Sequence, residues 1–333
     1  MQVCVIGAAG YTGVPLCKHL VCKGHTVIAI DNGFFGFIAL EDLANSLSNK
    51  IEIVKKDAFN LTIEDLKNCE TVISIAGLSN DPMADFNPEL NFKLNTDLTE
   101  FTANVCKKAG VKRYIFASTC SMYDFGFLDE KNDVLVDEDT VVSPVKHYSL
   151  SKFNAEQRLK GLIDRDFNVI ILRKATICGF STKMRYDLVV NTFVKDALKN
   201  KKIKLNGCGE NWRPLIDIDD VCEVYARCVN LNKSCLYNVV GYNTRISELA
   251  LRAVSLLKKS GYDVDIECNY EFPKSEIRNY RVDGSKLWKE LDFRPSRGVE
   301  DSIKGILQNI DKIKDLDNPI YYNIEWFRRH NWA

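Results

Sequence analysis

Short runs of branched and aliphatic residues recur through the first half of the chain, at 3–6, 27–30, 51–54, 71–75, 114–117 and 169–172, and stretches with helical spacing separate them. Strands that read as continuous apolar runs, rather than as alternating polar and apolar positions, are buried on both faces. The pattern therefore predicts a doubly wound α/β fold, a parallel sheet with helices on both sides, over residues 1–175. Beyond 175 the alternation loosens into helices at 188–199 and 221–229, a short strand at 236–240, and turns rich in Gly, Asn and Pro. These predict a smaller C-terminal α/β lobe over 176–333, with some segments returning to the first domain and a ligand cleft between the two.

Composition narrows the ligand. The 333 residues are 46% hydrophobic and 27% charged, and 45 basic side chains balance 45 acidic ones. No global field draws such a chain to nucleic acid or to an anionic membrane, so a small molecule is the expected partner. No apolar run approaches membrane-spanning length, and Met1 leads directly into a strand without a basic leader, which predicts a soluble cytoplasmic protein. Twelve cysteines are scattered without a CxxC pair beside only four histidines, so reduced, buried thiols are expected and no metal site.

Gly7-Ala-Ala-Gly10-Tyr11-Thr12-Gly13 follows the first predicted strand and opens the first helix. Glycines there allow a tight turn, bring backbone N–H groups close to a pyrophosphate, and let helix pack on strand. Asp31, with Asn32 after it, closes the second strand 18 residues beyond Gly13, where a carboxylate accepts both hydroxyls of a ribose. No Arg or Lys stands between Lys23 and Lys50 to neutralise a 2′-phosphate, so NAD is predicted over NADP. Asp57-Ala58 and Ala76-Gly77 end the third and fourth strands, at the edge where such sheets bind ligands; turn formation explains them equally well.

Tyr148-Ser-Leu-Ser-Lys152 sets a phenol and an ammonium one helical turn apart. The lysine's charge is expected to lower the tyrosine's pKa so that it can take a proton from a sugar hydroxyl. About 30 residues upstream, the fifth strand ends in Ser118-Thr119-Cys120-Ser121. With the glycine loop, Asp31, Arg185-Tyr-Asp-Leu-Val-Val-Asn191 and Arg213-Pro-Leu-Ile-Asp-Ile-Asp-Asp220, these segments resemble the extended short-chain dehydrogenase/reductase superfamily, in its nucleotide-sugar epimerase and dehydratase branch. The resemblance spans nearly the whole chain. It implies a Rossmann domain binding NAD through the loop, Asp31, Asn95, Ser118, Tyr148 and Lys152. Thr119 would position the substrate, Tyr148 would be the base, and Lys152 would hold the nicotinamide ribose. Ser79, Asn80, Arg185, Asn191, Arg213 and Arg278 would meet a nucleotide-diphosphate sugar, and helices at 88–108 and 144–165 would build a homodimer.

The reaction depends on the residues after Thr119. Dehydratases of this branch carry an Asp-Glu pair where this chain has Cys120-Ser121, so elimination of water lacks its acid and base. Epimerisation at C4 by transient oxidation needs only Thr119, Tyr148, Lys152 and NAD. A net 4-dehydrogenase or reductase and a dehydratase are the alternatives, and a non-catalytic NAD-binding regulator is the alternative of another class. Cys120 is either an additional acid/base or a small packed residue. Three departures from the family pattern stand out: Lys174 where proline commonly follows Arg173, Asp217 in place of histidine, and Asp124 in place of glycine.

Overall fold

The computed structural model describes residues 1–124, 134–273, 276–313 and 315–330. Its strands are β1 (Gln2–Ile6), β2 (Thr26–Asp31), β3 (Ile51–Lys55), β4 (Cys69–Ser74), β5 (Arg113–Thr119), β6 (Leu135–Val136), β7 (Asn168–Lys174), β8 (Thr176–Cys178), β9 (Lys202–Asn206), β10 (Trp212–Asp217), β11 (Cys235–Val239), β12 (Tyr242–Arg245), β13 (Asp265–Asn269) and β14 (Arg281–Val282). The helices are α1 (Gly13–Cys22), α2 (Ile38–Ser46), α3 (Asp81–Phe86), α4 (Pro88–Phe92), α5 (Leu98–Lys108), α6 (His147–Lys160), α7 (Val189–Asn200), α8 (Ile218–Cys228), α9 (Ile246–Lys259), α10 (Ser285–Glu290), α11 (Val299–Gln308) and α12 (Asn323–Arg329).

Seven strands form one parallel sheet in the order β11-β7-β5-β4-β1-β2-β3. Period-two alternation sends Val3, Val5 and Ile115 into an apolar layer with Leu16, Leu20 and Val224, and sends Cys4, Ile6 and Phe116 into the opposite layer with Leu159 and Phe167. Both layers are buried, which is why the strands read as continuous apolar runs. The chain runs outward from β1 to β3 and resumes on the other side of β1 at β4. The carboxyl ends of β1 and β4 therefore bound the crevice where open α/β sheets bind ligands.

The second half divides between two structures. β11 is an edge strand of the main sheet and α8 packs against α1, so both lie in the first layer system although they come after residue 176. The remainder builds the lobe: the three-stranded sheet β12-β10-β8, the pair β13-β9, and a core of Tyr186, Val190, Leu249, Leu257 and Ile303 under α7, α9 and α11. Among the described residues, no helix is long and apolar enough to cross a membrane.

Candidate active site

The turn after β1 is as tight as its glycines suggest. Gly7 has φ of +92°, and a Cβ there would stand 2.7 Å from the Ala76 backbone nitrogen; one on Gly13 would stand 2.4 Å from the Ala8 carbonyl oxygen. Asp31 ends β2 facing this turn and accepts from the backbone N–H groups of Ala9 (2.9 Å) and Gly33 (2.8 Å). Burial raises its carboxyl pKa, and those N–H groups oppose the rise.

A cavity of about 130 Å³ opens beside this carboxylate. Asn32, Asp57, Ala58, Ala76 and Gly77 line it together with apolar walls from Phe34, Phe35, Leu94 and Phe327. An acidic group beside an apolar slot suits the ribose and base of an adenosine, so the lining accommodates that part of NAD. Asp57 also caps the turn after β3, accepting from Phe59 N at 2.8 Å, which is the turn role its sequence allowed. Asn32 similarly accepts from Phe34 N at 3.1 Å. The sequence reading overlooked Lys56, which reaches this cavity from the end of β3, but its amine is held 2.6 Å from Asp65.

The second compartment, about 420 Å³, adjoins the first through Gly7, Gly10 and Gly77 and runs to the lobe. Its walls bring together Tyr11, Thr12, Gly13, Ser79, Asn80, Ser118, Thr119, Tyr148, Arg185, Arg213 and Arg278, which come from segments far apart in the chain. Thr119 ends β5; its hydroxyl donates to Ser121 Oγ (3.0 Å) and accepts from Ser121 N (3.1 Å). Tyr148 stands in the first turn of α6. Burial raises its pKa to about 12, opposed by the Thr119 hydroxyl and by the charges of Arg185 and Arg278. This corrects the expectation that Lys152 lowers it. Lys152 is itself buried over the Phe116 ring, with its pKa lowered to about 7 by burial and by Lys174.

Other expected residues lie behind the wall. Cys120 is fully buried, donates its thiol to the Arg173 carbonyl (3.0 Å), and has its pKa raised by burial. It packs in the core and cannot serve as an acid or base in the cleft. Asn191 is also enclosed: it accepts from Gly179 N (3.0 Å) and donates to Tyr11 Oη (3.2 Å) and the Arg185 carbonyl (3.0 Å), which occupies its polar groups within the protein. Its expected contact with substrate gives way to an anchoring one. Asn95 lies in a π-turn at 93–97, the kind of helical irregularity frequent at functional sites. Its amide nitrogen donates to Asn91 and Ser151, while its oxygen, buried without a hydrogen-bond partner among the described residues, faces Gly77. Asp217 caps α8 and accepts from Ser302 at 2.5 Å, away from the cleft.

The substrate-side cations differ in their pairing. Arg185 forks onto Asp187 (3.0 and 2.7 Å) and donates to Ser79 (2.9 Å), while Asn80 caps α3 and donates to the same Asp187 (2.8 Å). Arg278 pairs with Asp81 and lies 3.6 Å from Asp124. Arg213 has its guanidinium over the Tyr280 ring at 5.6 Å and lines the cleft. Arg213 and Arg278 thus converge as a cationic wall opposite Tyr148, suited to a diphosphate.

Behind the wall, Glu156 is fully buried on α6. It binds Arg173 in a fork (3.0 and 2.7 Å) and accepts from Ser118 (2.5 Å), and Arg173 donates to Tyr123 (2.7 Å). The network fixes α6, β5 and β7 against one another. It places the helix carrying Tyr148 and Lys152 over the strand ending in Thr119.

A glycine turn, an acidic strand end and a Tyr/Lys helix around one cleft are matched by a family model, NAD dependent epimerase/dehydratase family, over residues 3–239. The chain belongs to that family. A Bacillus subtilis protein described as an uncharacterised UDP-glucose epimerase is 26% identical over 91% of this chain and 96% of its own length. A UDP-glucuronate 4-epimerase of Thermodesulfobacterium geofontis is 24% identical over 94% and 98%. Among solved structures, UDP-glucose 4-epimerase of Thermotoga maritima with UDP-glucose superposes with a TM-score of 0.82 at 21% identity, covering 95% of this chain and all of that one. UDP-glucuronic acid 4-epimerase of Bacillus cereus with UDP-glucuronic acid and NAD gives 0.79 at 22%, over 94% and 100%. As a member of an NAD-dependent epimerase/dehydratase family, the chain has the fold and the cofactor that its sequence led one to expect.

Proposed function

We propose that this chain is an NAD-dependent nucleotide-sugar epimerase that acts by transient oxidation at C4 of a hexose. The observation that carries the reading is the single cleft that joins the glycine turn, Thr119 with Tyr148, and the Arg213/Arg278 wall. The similarity to UDP-glucose and UDP-glucuronate 4-epimerases supports it. NAD held by the glycine turn and Asp31 would supply the hydride acceptor for C4, and the hydride donor to the opposite face once the keto-sugar has turned over. Tyr148 takes the proton from the C4 hydroxyl and gives it back, while Thr119 hydrogen-bonds the same oxygen and holds it in register. Arg185 and Arg278 are the charges that favour the phenolate, and Lys152, one turn along α6, would hold the nicotinamide ribose; Arg213 and Arg278 hold the diphosphate. Arg278 binds it by exchanging Asp81 for phosphate oxygens.

Incubation with UDP-, dTDP-, CDP- and GDP-hexoses and separation of the products tests the proposal. A C4 epimer formed without net NADH is the expected result. NADH accumulation without an epimer would identify a net dehydrogenase instead. Ser121 is the only one of Cys120 and Ser121 on the cleft wall, which leaves dehydration without an acid/base pair at these positions. The assembly we infer is a homodimer pairing through α5 and α6, checked by sedimentation. A reducing cytoplasm suits the twelve free cysteines.

A further inference from the structure

Among the described residues, one cation at the reaction end of the cleft has no anion beside it. Along the walls, Arg185 is paired with Asp187, Arg278 with Asp81 and Asp124, and Lys183 donates to the Ile320 carbonyl. Two cleft-lining cations, Arg213 and Lys174, make no hydrogen bond or ion pair among the described residues. Arg213 stands on the diphosphate wall. Lys174 stands elsewhere: it closes β7 in direct register with Thr119, and its amine lies 5.9 Å from the Tyr225 ring centre.

The strand geometry says what this amine can reach. Arg173 and Ser118 point to Glu156 on one face of the sheet, so their neighbours Lys174 and Thr119 project from the other, on strands about 4.8 Å apart. Thr119, on the reading above, holds the oxygen on C4. In a hexopyranose C4 and C6 are both bonded to C5, so the C6 substituent lies beside the group that Thr119 grips and within the span of a four-carbon amine. A hydroxymethyl group there offers only a neutral partner. A carboxylate offers a charge-assisted hydrogen bond and relieves a desolvated ammonium. The need for relief is visible: burial and Arg185 lower the Lys174 pKa to about 8, and Lys174 in turn lowers that of Lys152.

We propose that Lys174 is a specificity-determining residue that pairs with a carboxylate at C6, so that the substrate class is a nucleotide-diphosphate hexuronate. The proposal rests on the nucleotide-sugar reading of the cleft. Its test is a set of matched hexose and hexuronate pairs on UDP and GDP carriers, assayed with the wild type, Lys174→Met and Lys174→Arg. The expected result is a kcat/KM at least tenfold higher for a hexuronate than for its neutral partner. Lys174→Met should collapse that ratio at least tenfold, chiefly through the KM of the hexuronate, and Lys174→Arg should keep most of it. A wild type that prefers the neutral hexose or does not discriminate overturns the proposal while leaving the epimerase reading intact. So does a methionine variant, folded by its melting curve, that loses both partners equally. Failure to epimerise or oxidise any member of any pair overturns the underlying reading, and this proposal with it.

Discussion

Tyr148 rests as a neutral phenol, its pKa raised to about 12 by burial, and must lose a proton to act. Tyr148→Phe removes the proton acceptor without changing the shape of the wall. The expected outcome is a 10²- to 10⁴-fold loss of kcat with NAD affinity retained, checked by steady-state kinetics and cofactor titration. Lys152 gives a pH signature of its own. Its folded pKa is lowered from 10.5 to about 7, so between those values the unfolded chain holds a proton that the folded chain lacks. Stability contributed by this group therefore rises with pH from about 7 to about 10, and the penalty is full below about 7. In cofactor-stripped protein, Lys152→Met should reduce the slope of unfolding free energy against pH in that window by up to about 1.4 kcal/mol per unit, measured by denaturant titration at several pH values. At this scale the sequence was legible in residue types and spacing: Tyr148 and Thr119 line the predicted cleft and Asp31 the cavity beside it, while Lys152 is buried one turn along α6. Burial was not legible. The thiol of Cys120 and the amide of Asn191 are consumed by the Arg173 carbonyl and by Tyr11, partners 53 and 180 positions away that no local pattern discloses.

Helix α6 shows how an element carries such residues. It turns Ser149, Ser151, Lys152 and Glu156 inward, so its buried face is largely polar and its sequence lacks the apolar stripe of an ordinary surface helix. Ala155 and Leu159 give it a narrow apolar contact with the core, and the Glu156–Arg173 fork adds a buried ionic one. Glu156→Ala leaves a buried guanidinium uncompensated and should cost roughly 3–5 kcal/mol of unfolding free energy, read from a chemical denaturation curve. The turn between β1 and α1 is tied instead by close backbone contact. Gly7→Ala drives a methyl group into the Ala76 backbone at a left-handed φ. It is expected to destabilise the protein by about 1–3 kcal/mol and to weaken NAD binding, measured by melting and titration. The strands and the first helix were readable because hydrophobic periodicity is local. The placement of β11 in the main sheet was not, since only its pairing with β7 decides which sheet receives it.

Across the whole molecule, the segment at 315–330 ties the two halves together. Lys183 in the lobe donates to the Ile320 carbonyl, Tyr186 N donates to Tyr321 O, Asn323 donates to Ser79, and the Trp326 indole donates to the Phe34 carbonyl beside Asp31. Phe327 completes the apolar wall of the adenosine cavity. Truncation after residue 314 should therefore weaken NAD binding at least tenfold while the seven-stranded sheet survives, checked by the cofactor content of the purified protein and by circular dichroism. The fold class was visible from the first half of the chain. The closure of the cofactor site was not, because it joins residues 292 positions apart. That separation sets an order of events during synthesis. The Rossmann strands emerge and pair early, and domains generally fold from the N-terminal side as the chain is made. The dinucleotide cavity nevertheless lacks its last wall until α12 has cleared the ribosome, so a nascent chain can build its binding sheet long before it can keep a cofactor.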